Sequence, residues 1–225
     1  MQNSRVGKFI VFIVFEGGEG VGKSTQIELV FNALLSQKLL CIKTREPGGT
    51  PLAEKIRSLF KEKTTDSPTA LTELYLICAA RAQHVEKVIA PNLAQGNIIL
   101  CDRFIDSTYV YQHILGNLSK EIIDKASSTI LQGLMPDLTF IFDCDYKTAS
   151  NRMQGNENRQ NDRFDSSHAD FHKAILDGYK QIYENKLAHP CQKIPLRILI
   201  NASVSIEEIF TQIQSAFKAH LSINL

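Results

Sequence analysis

A short glycine-rich stretch carries the clearest chemical signal in this sequence. Residues 17–24 fit G-x-x-x-x-G-K-[ST], with an apolar run before them and helically spaced apolar residues after them. Glycines let backbone N–H groups face phosphate oxygens, and the N-terminus of the following helix adds positive potential. The lysine can reach the β- and γ-phosphates, and the serine hydroxyl can hold Mg²⁺. The stretch predicts a nucleotide site formed by Gly17, Gly18, Glu19, Gly20, Val21, Gly22, Lys23, Ser24 and Thr25.

An acid and a base, Asp102 and Arg103, close a second apolar run. A guanidinium next to a metal-binding carboxylate suits a second phosphate, which it can hold through two hydrogen bonds. We interpret the pair as a sign of phosphoryl transfer to an acceptor that already carries a phosphate. A GTP-binding switch is excluded, because no aspartate has a glycine three residues later and Asn185-Lys186 is not followed by the required aspartate. A motor or translocase would usually be longer and would carry paired acids at this point.

Five strand-like runs alternate with helical segments, and this alternation predicts an α/β fold with a parallel sheet. The runs cover residues 9–15, 39–44, 97–101, 138–142 and 196–200. Ligands of such sheets bind at the carboxyl ends of the strands. We therefore expect residues 16–25, Arg45, residues 102–103 and Asp143 to lie along one edge, although Asp143 and Asp145 fit a helix-capping role better than a chemical one.

Cap and proline signals mark the helices between these runs. We expect helices over about 24–37, 51–61 with Thr50 as cap, 67 onward with a kink near Pro91, 107–113, 119–133, 146–155 and 165–187, and a last helix behind the capping box Ser205-x-x-Glu208. Residues 156–162 are polar and lack an apolar period, which indicates a mobile excursion. No repeat or linker is visible, so we expect a single domain over residues 1–225.

The composition is that of an ordinary globular protein of 225 residues, with 44% hydrophobic residues and a net charge of +1. This charge gives no reason to expect a nucleic-acid or membrane partner. The five cysteines, at positions 41, 78, 101, 144 and 191, are scattered and odd in number, which suits reduced thiols in the cytoplasm. No apolar run approaches the ~20 residues of a membrane span. Arg5 and Lys8 could open a signal peptide, but the glycine-rich stretch follows where a cleavage site should be.

Taken together, several stretches resemble the thymidylate kinase family. They are the phosphate-binding loop with its internal acid at position 19, and residues 44–50, 79–81, 102–112, 136–139 and 162–164. The resemblance covers most of the chain and implies a P-loop NTPase-type three-layer fold, with a five-stranded parallel sheet flanked by helices and a mobile lid. It also implies ATP-dependent phosphorylation of dTMP to dTDP with Mg²⁺, and a homodimer.

The resemblance assigns roles to matching residues. Lys23 and Ser24 would bind ATP and Mg²⁺, and Asp102 would help to position the metal ion. Arg81 would hydrogen-bond the thymine edge, while Glu19 would lie beneath the deoxyribose and meet its 3′-hydroxyl. The implied acceptor contacts are Glu19, Arg45, Arg57, Ile77, Arg81, Arg103, Thr108, Tyr111 and Gln112. Arg57 and Arg103 would hold the dTMP phosphate, and Thr108 and Gln112 would lie near the base.

The polar excursion resembles the lid of the family, over about residues 153–164. Some members carry a catalytic arginine inside the phosphate loop, where this chain has Gly20, whereas others supply it from the lid. Such an arginine neutralises charge on the transferred phosphoryl group and is worth roughly 10³–10⁵ in rate in comparable enzymes. This chain resembles the lid-arginine kind, which implies a catalytic set of Lys23, Arg103, Arg152, Arg159 and Arg163.

One departure from the family pattern concerns the base. Members usually have phenylalanine four residues before the base-reading arginine, and this chain has Ile77 there. An aliphatic side chain packs on the base but loses aromatic stacking. Two alternatives therefore stay open at this stage: a kinase for another nucleotide or nucleoside, and a regulatory protein that binds ATP without turnover. Tyr109 and Tyr111 fit the core as well as a sugar contact. The Pro-Gly-Gly turn predicts a cis peptide bond at Glu46–Pro47.

Overall fold

The computed structural model describes residues 11–62, 65–155, 169–190 and 194–225. Its five strands are β1 Val11–Glu16, β2 Cys41–Arg45, β3 Ile98–Asp102, β4 Leu138–Asp143 and β5 Arg197–Asn201. They form one sheet in the order β2-β3-β1-β4-β5, and every neighbouring pair is parallel. The predicted five-stranded parallel sheet is confirmed. The first two residues of the predicted first strand, at positions 9 and 10, lie outside the described residues.

Strand register brings the candidate residues to one edge of the sheet. Asp102 at the end of β3 is paired with Arg45 of β2 on one side and with Phe15 of β1 on the other. Glu16 follows Phe15 and leads directly into the glycine-rich loop. The carboxyl ends of the three strands therefore place an acid, a base and the phosphate loop side by side, as the alternating pattern predicts.

The described part of the chain contains nine α-helices in addition to the sheet. They are α1 Lys23–Ser36, α2 Pro51–Lys61, α3 Ala70–His84, α4 Ala90–Gln95, α5 Ile105–Thr108, α6 Lys120–Leu131, α7 Tyr146–Gln154, α8 Ala169–Glu184 and α9 Ile206–Leu221. A π-helical turn, Val85–Ile89, joins α3 to α4, and a second, Tyr109–Leu115, continues α5. The first turn lies just ahead of Pro91, where a kink is expected because proline lacks the N–H of a regular helical bond.

Alternating residues of β1 face two different apolar layers, and all six residues of the strand are buried. Ile13 and Phe15 belong to the core that includes residues of α1 and α9. Phe12 and Val14 belong to a second core, which includes residues of α3, α6 and α8. Burial on both faces explains why the strand is a continuous apolar run rather than an alternating one.

Most helix caps agree with the sequence prediction. Thr50, Ser119 and Ser205 cap α2, α6 and α9, and the Ser205–Glu208 capping box is complete. Asp145 accepts a hydrogen bond of 2.8 Å from the Thr148 amide at the start of α7, in line with the capping interpretation.

Two predicted boundaries are wrong. The helix expected from Ser67 begins at Ala70, because the side chain of Thr69 accepts the capping bond from the Thr72 amide. The helix expected to reach residue 187 ends at Glu184, since Lys186 adopts a left-handed conformation with φ of 47°. Residues 165–168 of that prediction lie outside the described residues.

Among the described helices, none is long and apolar enough to cross a membrane. The four cysteines in the described part of the chain, Cys41, Cys78, Cys101 and Cys144, are free thiols. The Glu46–Pro47 peptide bond is cis, which confirms the prediction for that turn.

Candidate active site

The phosphate loop connects β1 to α1 and is shaped by glycine. Gly20 and Gly22 have φ of +73° and +93°, a region that residues with a Cβ rarely adopt. A Cβ on Gly20 would lie 2.3 Å from the backbone oxygen of Ala149 in α7. The loop therefore runs against α7 at a distance that only glycine permits, and no side chain can replace it at position 20.

Lys23 lies at the first position of α1, and its side chain is buried. Its Nζ donates hydrogen bonds to the carbonyl oxygens of Gly17 at 3.0 Å and Gly18 at 2.7 Å. Burial lowers the pKa of this amine, and the Arg103 guanidinium lowers it further, while Asp102 and Glu19 oppose the shift. The loop thus holds the amine folded back over its own backbone, beside the N-terminus of α1.

Two adjoining clefts open at this edge of the sheet. The phosphate cleft is lined by residues 19–26, Arg45, Asp102 and Arg152, together with a few residues of α7 and α9. The acceptor pocket is lined mainly by α2, α3, the segment 103–112 and α8, through residues that include Phe60, Ile77, Arg81, Phe104, Thr108, Tyr111, Gln112, His172 and Ile175. The acceptor pocket is largely apolar, whereas the phosphate cleft has about as much polar as apolar surface.

Glu19, Glu46, Arg57 and Arg103 line both clefts. Arg103 donates to Glu19 at 2.8 Å, and Arg57 donates to the Pro47 carbonyl oxygen at 3.0 Å. Two guanidinium groups therefore stand where the clefts meet. Guanidinium groups bind phosphate oxygens well, so this junction can hold the group that passes between two bound molecules.

Arg103 itself is in the left-handed region, with φ of 69°. This conformation is strained for a non-glycine residue, which keeps it only where the surrounding structure enforces it. Here the Arg103 amide donates to the Phe15 carbonyl oxygen at 2.9 Å, and its guanidinium donates to the Tyr179 hydroxyl at 2.7 Å. The ring of Tyr111 lies 5.6 Å from the guanidinium carbon, so Tyr111 faces the site.

Arg81 is held by a buried polar network and is 1% exposed. Its Nε donates to Glu46 at 2.7 Å, and one terminal nitrogen donates to Thr108 at 3.0 Å. The other oxygen of Glu46 bonds His84 Nδ1 at 3.0 Å, and His84 Nε2 lies 2.6 Å from the Thr44 hydroxyl. The remaining terminal nitrogen of Arg81 is buried and has no hydrogen-bond partner among the described residues.

Gln112 offers the opposite chemistry on the same pocket. Its amide nitrogen donates to Glu73 at 2.9 Å, which fixes the orientation of the amide because a carboxylate accepts only. The amide oxygen of Gln112 is buried and unpartnered within the described chain. Two residues that line the acceptor pocket therefore carry one unused donor, on Arg81, and one unused acceptor, on Gln112.

Asp102 and Ser24 fit a Mg²⁺ ion. Both line the phosphate cleft, and Oδ1 of Asp102 is buried without a hydrogen-bond partner in the described residues. Within those residues there is no cluster of three or more His, Cys, Asp or Glu side chains that could hold a metal. This donor set suits Mg²⁺, which usually keeps several waters and takes one or two protein oxygens beside substrate phosphates.

The structure brings together most of the residues that the sequence predicts. Residues 19–25, Arg45, Arg57, Asp102 and Arg103 meet at the phosphate cleft, and Ile77, Arg81, Thr108, Tyr111 and Gln112 meet at the acceptor pocket. Arg45 also pairs with Glu54 at 2.9 Å on the surface. The hydroxyl of Tyr109, by contrast, donates to Asp124 at 2.6 Å, away from both clefts.

Only one of the three predicted lid arginines, Arg152, lies within the described residues. Arg152 lies in α7 and lines the phosphate cleft, and its guanidinium donates to the carbonyl oxygens of Ala202 at 2.7 Å and Val204 at 2.8 Å. Arg159 and Arg163 lie outside the described residues, as does most of the segment predicted as a lid.

Sequence reasoning missed several residues that line the acceptor pocket, notably Glu46, Phe60, Glu73 and His172. For two of them, helical spacing from a predicted site residue would have indicated a place in the site. Phe60 lies three residues after Arg57 on α2, and Glu73 lies four residues before Ile77 on α3, so each shares a helix face with a predicted residue. Glu46 and His172 required the tertiary structure.

The parallel sheet, the glycine loop and the paired clefts define a P-loop nucleotide-binding protein. A family model described as "Thymidylate kinase" matches residues 15–213. A thymidylate kinase of Acholeplasma laidlawii is 46% identical over 174 residues, 77% of this chain and 85% of the relative. Those of Teredinibacter turnerae and Trichlorobacter lovleyi are 39% and 35% identical over 210 and 218 residues, 93% and 95% of this chain and 98% and 99% of the relatives. The chain belongs to the thymidylate kinase family.

Proposed function

We propose that the protein transfers the γ-phosphoryl group of ATP to the phosphate of dTMP, giving ADP and dTDP. The observation that carries this proposal is the junction of the two clefts at Arg57 and Arg103. A hydrolase needs phosphate contacts on one side of the reacting phosphorus only. Two arginines that line both a phosphate-loop cleft and an apolar pocket suit an acceptor that is itself phosphorylated.

The fixed donor and acceptor of the second pocket support thymine as the base. The buried nitrogen of Arg81 can donate to the 4-carbonyl oxygen, and the buried oxygen of Gln112 can accept from the N3–H group beside it. Cytosine presents an amino group and an unprotonated nitrogen at these two places, so it would set donor against donor at Arg81 and acceptor against acceptor at Gln112. The arrangement therefore favours thymine and uracil over cytosine.

Catalysis in this arrangement is positioning and electrostatic stabilisation. The phosphate loop and Lys23 would hold the β- and γ-phosphates of ATP, and Arg57 and Arg103 would aim an oxygen of the dTMP phosphate at the γ-phosphorus. That oxygen forms the new P–O bond while the bond to the β-phosphate oxygen breaks and ADP leaves. Ser24 and Asp102 would hold Mg²⁺, which supplies charge neutralisation on the phosphates. A phosphate oxygen is an adequate nucleophile, so no strong base is required.

A lid over about residues 153–164 belongs to the same proposal. Arg152, Arg159 and Arg163 would neutralise charge on the transferred group and keep water out of the closed site. The geometry of the loop supports a lid source for this charge, because Gly20 has no room for a side chain beside Ala149. The chain would form one nucleoside-monophosphate-kinase-like domain over residues 1–225.

We also propose a cytoplasmic homodimer that has no nucleic-acid or membrane partner. Leu71 and Tyr75 lie one turn apart on α3 and are 43% and 61% exposed. Ile122 on the neighbouring α6 is 41% exposed. These side chains offer an apolar face that a second copy could cover. Light scattering on the purified protein would give twice the chain mass if the dimer forms.

The test of function is ADP release in a coupled assay with ATP and Mg²⁺, against dTMP, dUMP, dCMP, AMP and thymidine. We expect strong turnover with dTMP, weaker turnover with dUMP and none with thymidine, which lacks the phosphate that Arg57 and Arg103 would hold. Faster turnover with another acceptor would retain the transfer chemistry and overturn the assignment of the acceptor pocket. Nucleotide binding without ADP release would overturn the enzyme itself.

A further inference from the structure

A row of hydroxyl groups connects Arg103 to the interior of the protein. One terminal nitrogen of Arg103 donates to the Tyr179 hydroxyl at 2.7 Å. That hydroxyl lies 2.7 Å from Oγ of Ser107, and Oγ lies 2.7 Å from Oε2 of Glu16. Glu16 ends β1 and is fully buried. A cation at the junction of the clefts is thus joined to a buried carboxylate through two neutral side chains. A longer bond of 3.4 Å also runs directly from Arg103 to Oγ of Ser107.

The protons in this row can be arranged in one way when Glu16 is ionised. A guanidinium only donates and a carboxylate only accepts, so Ser107 must donate to Glu16. Ser107 then accepts from the Tyr179 hydroxyl, and Tyr179 accepts from Arg103. Every bond therefore runs from the cation toward the anion, and hydrogen bonds aligned in this way strengthen one another.

The same carboxylate also holds the backbone that follows Arg103. Oε1 of Glu16 accepts from the Phe104 amide at 2.8 Å and from the Ser107 amide at 3.2 Å. The left-handed conformation of Arg103 immediately precedes these two amides. Glu16 thus holds the arginine in two ways, through the backbone that follows it and through the row of hydroxyl groups that contacts its side chain.

We infer that Glu16, acting through Ser107 and Tyr179, is a positioning residue that holds the Arg103 guanidinium in place for the phosphate of the acceptor. The inference rests on the proposed function, in which Arg103 binds that phosphate. Glu16 lines neither cleft and does not touch the acceptor in this scheme, whereas Ser107 lines the acceptor pocket beside Arg103. Their contribution is to the affinity for a phosphorylated acceptor rather than for ATP.

If Glu16 holds Arg103 in this way, the affinity for the acceptor should depend on whether Glu16 is ionised. Burial raises the pKa of Glu16 to about 7, and Asp106 adds to this shift, whereas Ser107, Arg103 and the Phe104 amide oppose it. The charged or titratable groups that face Glu16 are Lys23, Arg81, Cys101, Arg103, Asp106, Tyr111 and Tyr179. Asp106 is itself bound by Arg197 and His189, which hold its pKa below its usual range although burial alone would raise it.

The sign of the pH effect follows from the row. Below about pH 7 Glu16 gains a proton, the row loses its anionic end, and Arg103 is held less firmly. The KM for dTMP should therefore rise as the pH falls through about 7. The profile of KM for dTMP against pH should therefore have one limb near pH 7, from Glu16. Protonation of the dTMP phosphate gives a separate limb near pH 6, because the second pKa of a phosphate monoester is about 6.

The test compares Tyr179→Phe with Tyr109→Phe, using KM for each substrate from pH 5.5 to 8.5. Both changes remove a tyrosine hydroxyl bonded inside the protein, but that of Tyr109 bonds Asp124 outside the clefts. At pH 8 we expect Tyr179→Phe to raise the KM for dTMP about tenfold and to leave the KM for ATP within about twofold. Tyr109→Phe should change neither constant by more than about twofold.

The pH profile separates positioning from a merely structural role. In Glu16→Gln the limb near pH 7 should disappear while the phosphate limb near pH 6 remains. Tyr179→Phe should lose most of the same limb, since it removes the 2.7 Å bond from Arg103 and leaves only the 3.4 Å bond from Arg103 to Ser107 as a side-chain link toward Glu16. It decides the matter if Glu16→Gln does not fold. An unchanged KM for dTMP in Tyr179→Phe, or a retained limb near pH 7, would overturn the inference. Wild-type protein without dTMP turnover would overturn the proposed function, and the inference with it.

Discussion

The binding groups that we propose for the phosphate loop are backbone amides of consecutive residues, whereas those that we propose for the acceptor pocket are side chains from distant segments. Ser24 and Thr25 are exposed, and the shape of the loop depends on glycines with positive φ. The acceptor pocket instead depends on buried side chains that fix one another, such as Arg81 by Glu46 and Gln112 by Glu73. One region is fixed by local conformation and the other by packing.

This difference suits the two ligands that we propose. A triphosphate has many equivalent oxygens, and a row of amides with one lysine can bind them without reading a particular edge. A base must be distinguished from others of similar shape, and that requires donors and acceptors at fixed places. Substitutions in the two regions should therefore reduce activity in different ways. Those in the phosphate loop should distort the loop, and those in the acceptor pocket should weaken the affinity for the acceptor.

The largest effect should come from Gly20→Ala. The new Cβ would lie 2.3 Å from the Ala149 oxygen, and φ of +73° adds strain, so the loop cannot keep its shape. We expect kcat/KM to fall by about 10²–10³-fold, as it does when preorganised donors to a transition state are lost. The measurement is steady-state kinetics with ATP varied.

Gly133→Ala is the matched control for that loss. Gly133 has φ of +86°, but a Cβ there would meet nothing within 4 Å. It should cost about 1–2 kcal/mol of folding free energy and leave kcat/KM unchanged. Equal losses of activity in both variants would show that backbone strain alone, and not the contact with α7, explains the effect at Gly20.

Arg81→Lys should give the next largest effect, confined to the acceptor. Lysine keeps the charge but cannot bond Glu46, Thr108 and a base edge through one planar group. We expect the KM for dTMP to rise about 10–100-fold, the range for hydrogen bonds that involve a charged group, with little change in the KM for ATP. A parallel rise in both constants would show that the two regions are not separate in the way described.

Gln112→Met should have a smaller effect of the same kind. The variant removes the buried, unpartnered oxygen of a residue that lines the acceptor pocket, and also the amide nitrogen that bonds Glu73. We expect the KM for dTMP to rise about tenfold and the preference for dTMP over dCMP to narrow. The panel of acceptors measures both quantities, and an unchanged preference for dTMP would remove Gln112 from base recognition.

Ile77→Phe should have the smallest effect, and in the favourable direction. Ile77 lines the acceptor pocket, and an aromatic ring there would add about 0.5–1.5 kcal/mol of stacking on the base, so the KM for dTMP should fall or stay unchanged. Ile194→Phe, at a position 59% exposed, is the control for the substitution itself. A large loss at position 77 would show that this residue does not lie against the base.

The same contrast explains how far the sequence could predict the site. Residues 17–24 are adjacent in the chain, so their spacing alone predicts the loop and the helix behind it. The sequence also predicts Arg103 as a site residue, because it follows Asp102 at the end of a strand. Its link to Tyr179, which is 76 residues away, leaves no pattern in the sequence. Tertiary packing makes that contact, and no local rule predicts it.

The fold divides in the same way. Continuous apolar runs predict the five parallel strands to within a residue or two, and burial on both faces explains the runs of β1, β3 and β4. Helix ends proved less certain, as at Thr69, where two neighbouring polar residues compete for the capping position. The family resemblance supplied the roles of Arg57 and Arg81, whose helices carry no local chemical signal.

The central claim is that the two clefts are halves of one transfer site, and a molecule that spans both tests it most directly. Adenosine and thymidine joined through a chain of phosphates should bind once per chain in calorimetry. It should inhibit competitively against ATP and against dTMP alike. Competition with one substrate only, or two molecules bound per chain, would contradict a junction at Arg57 and Arg103.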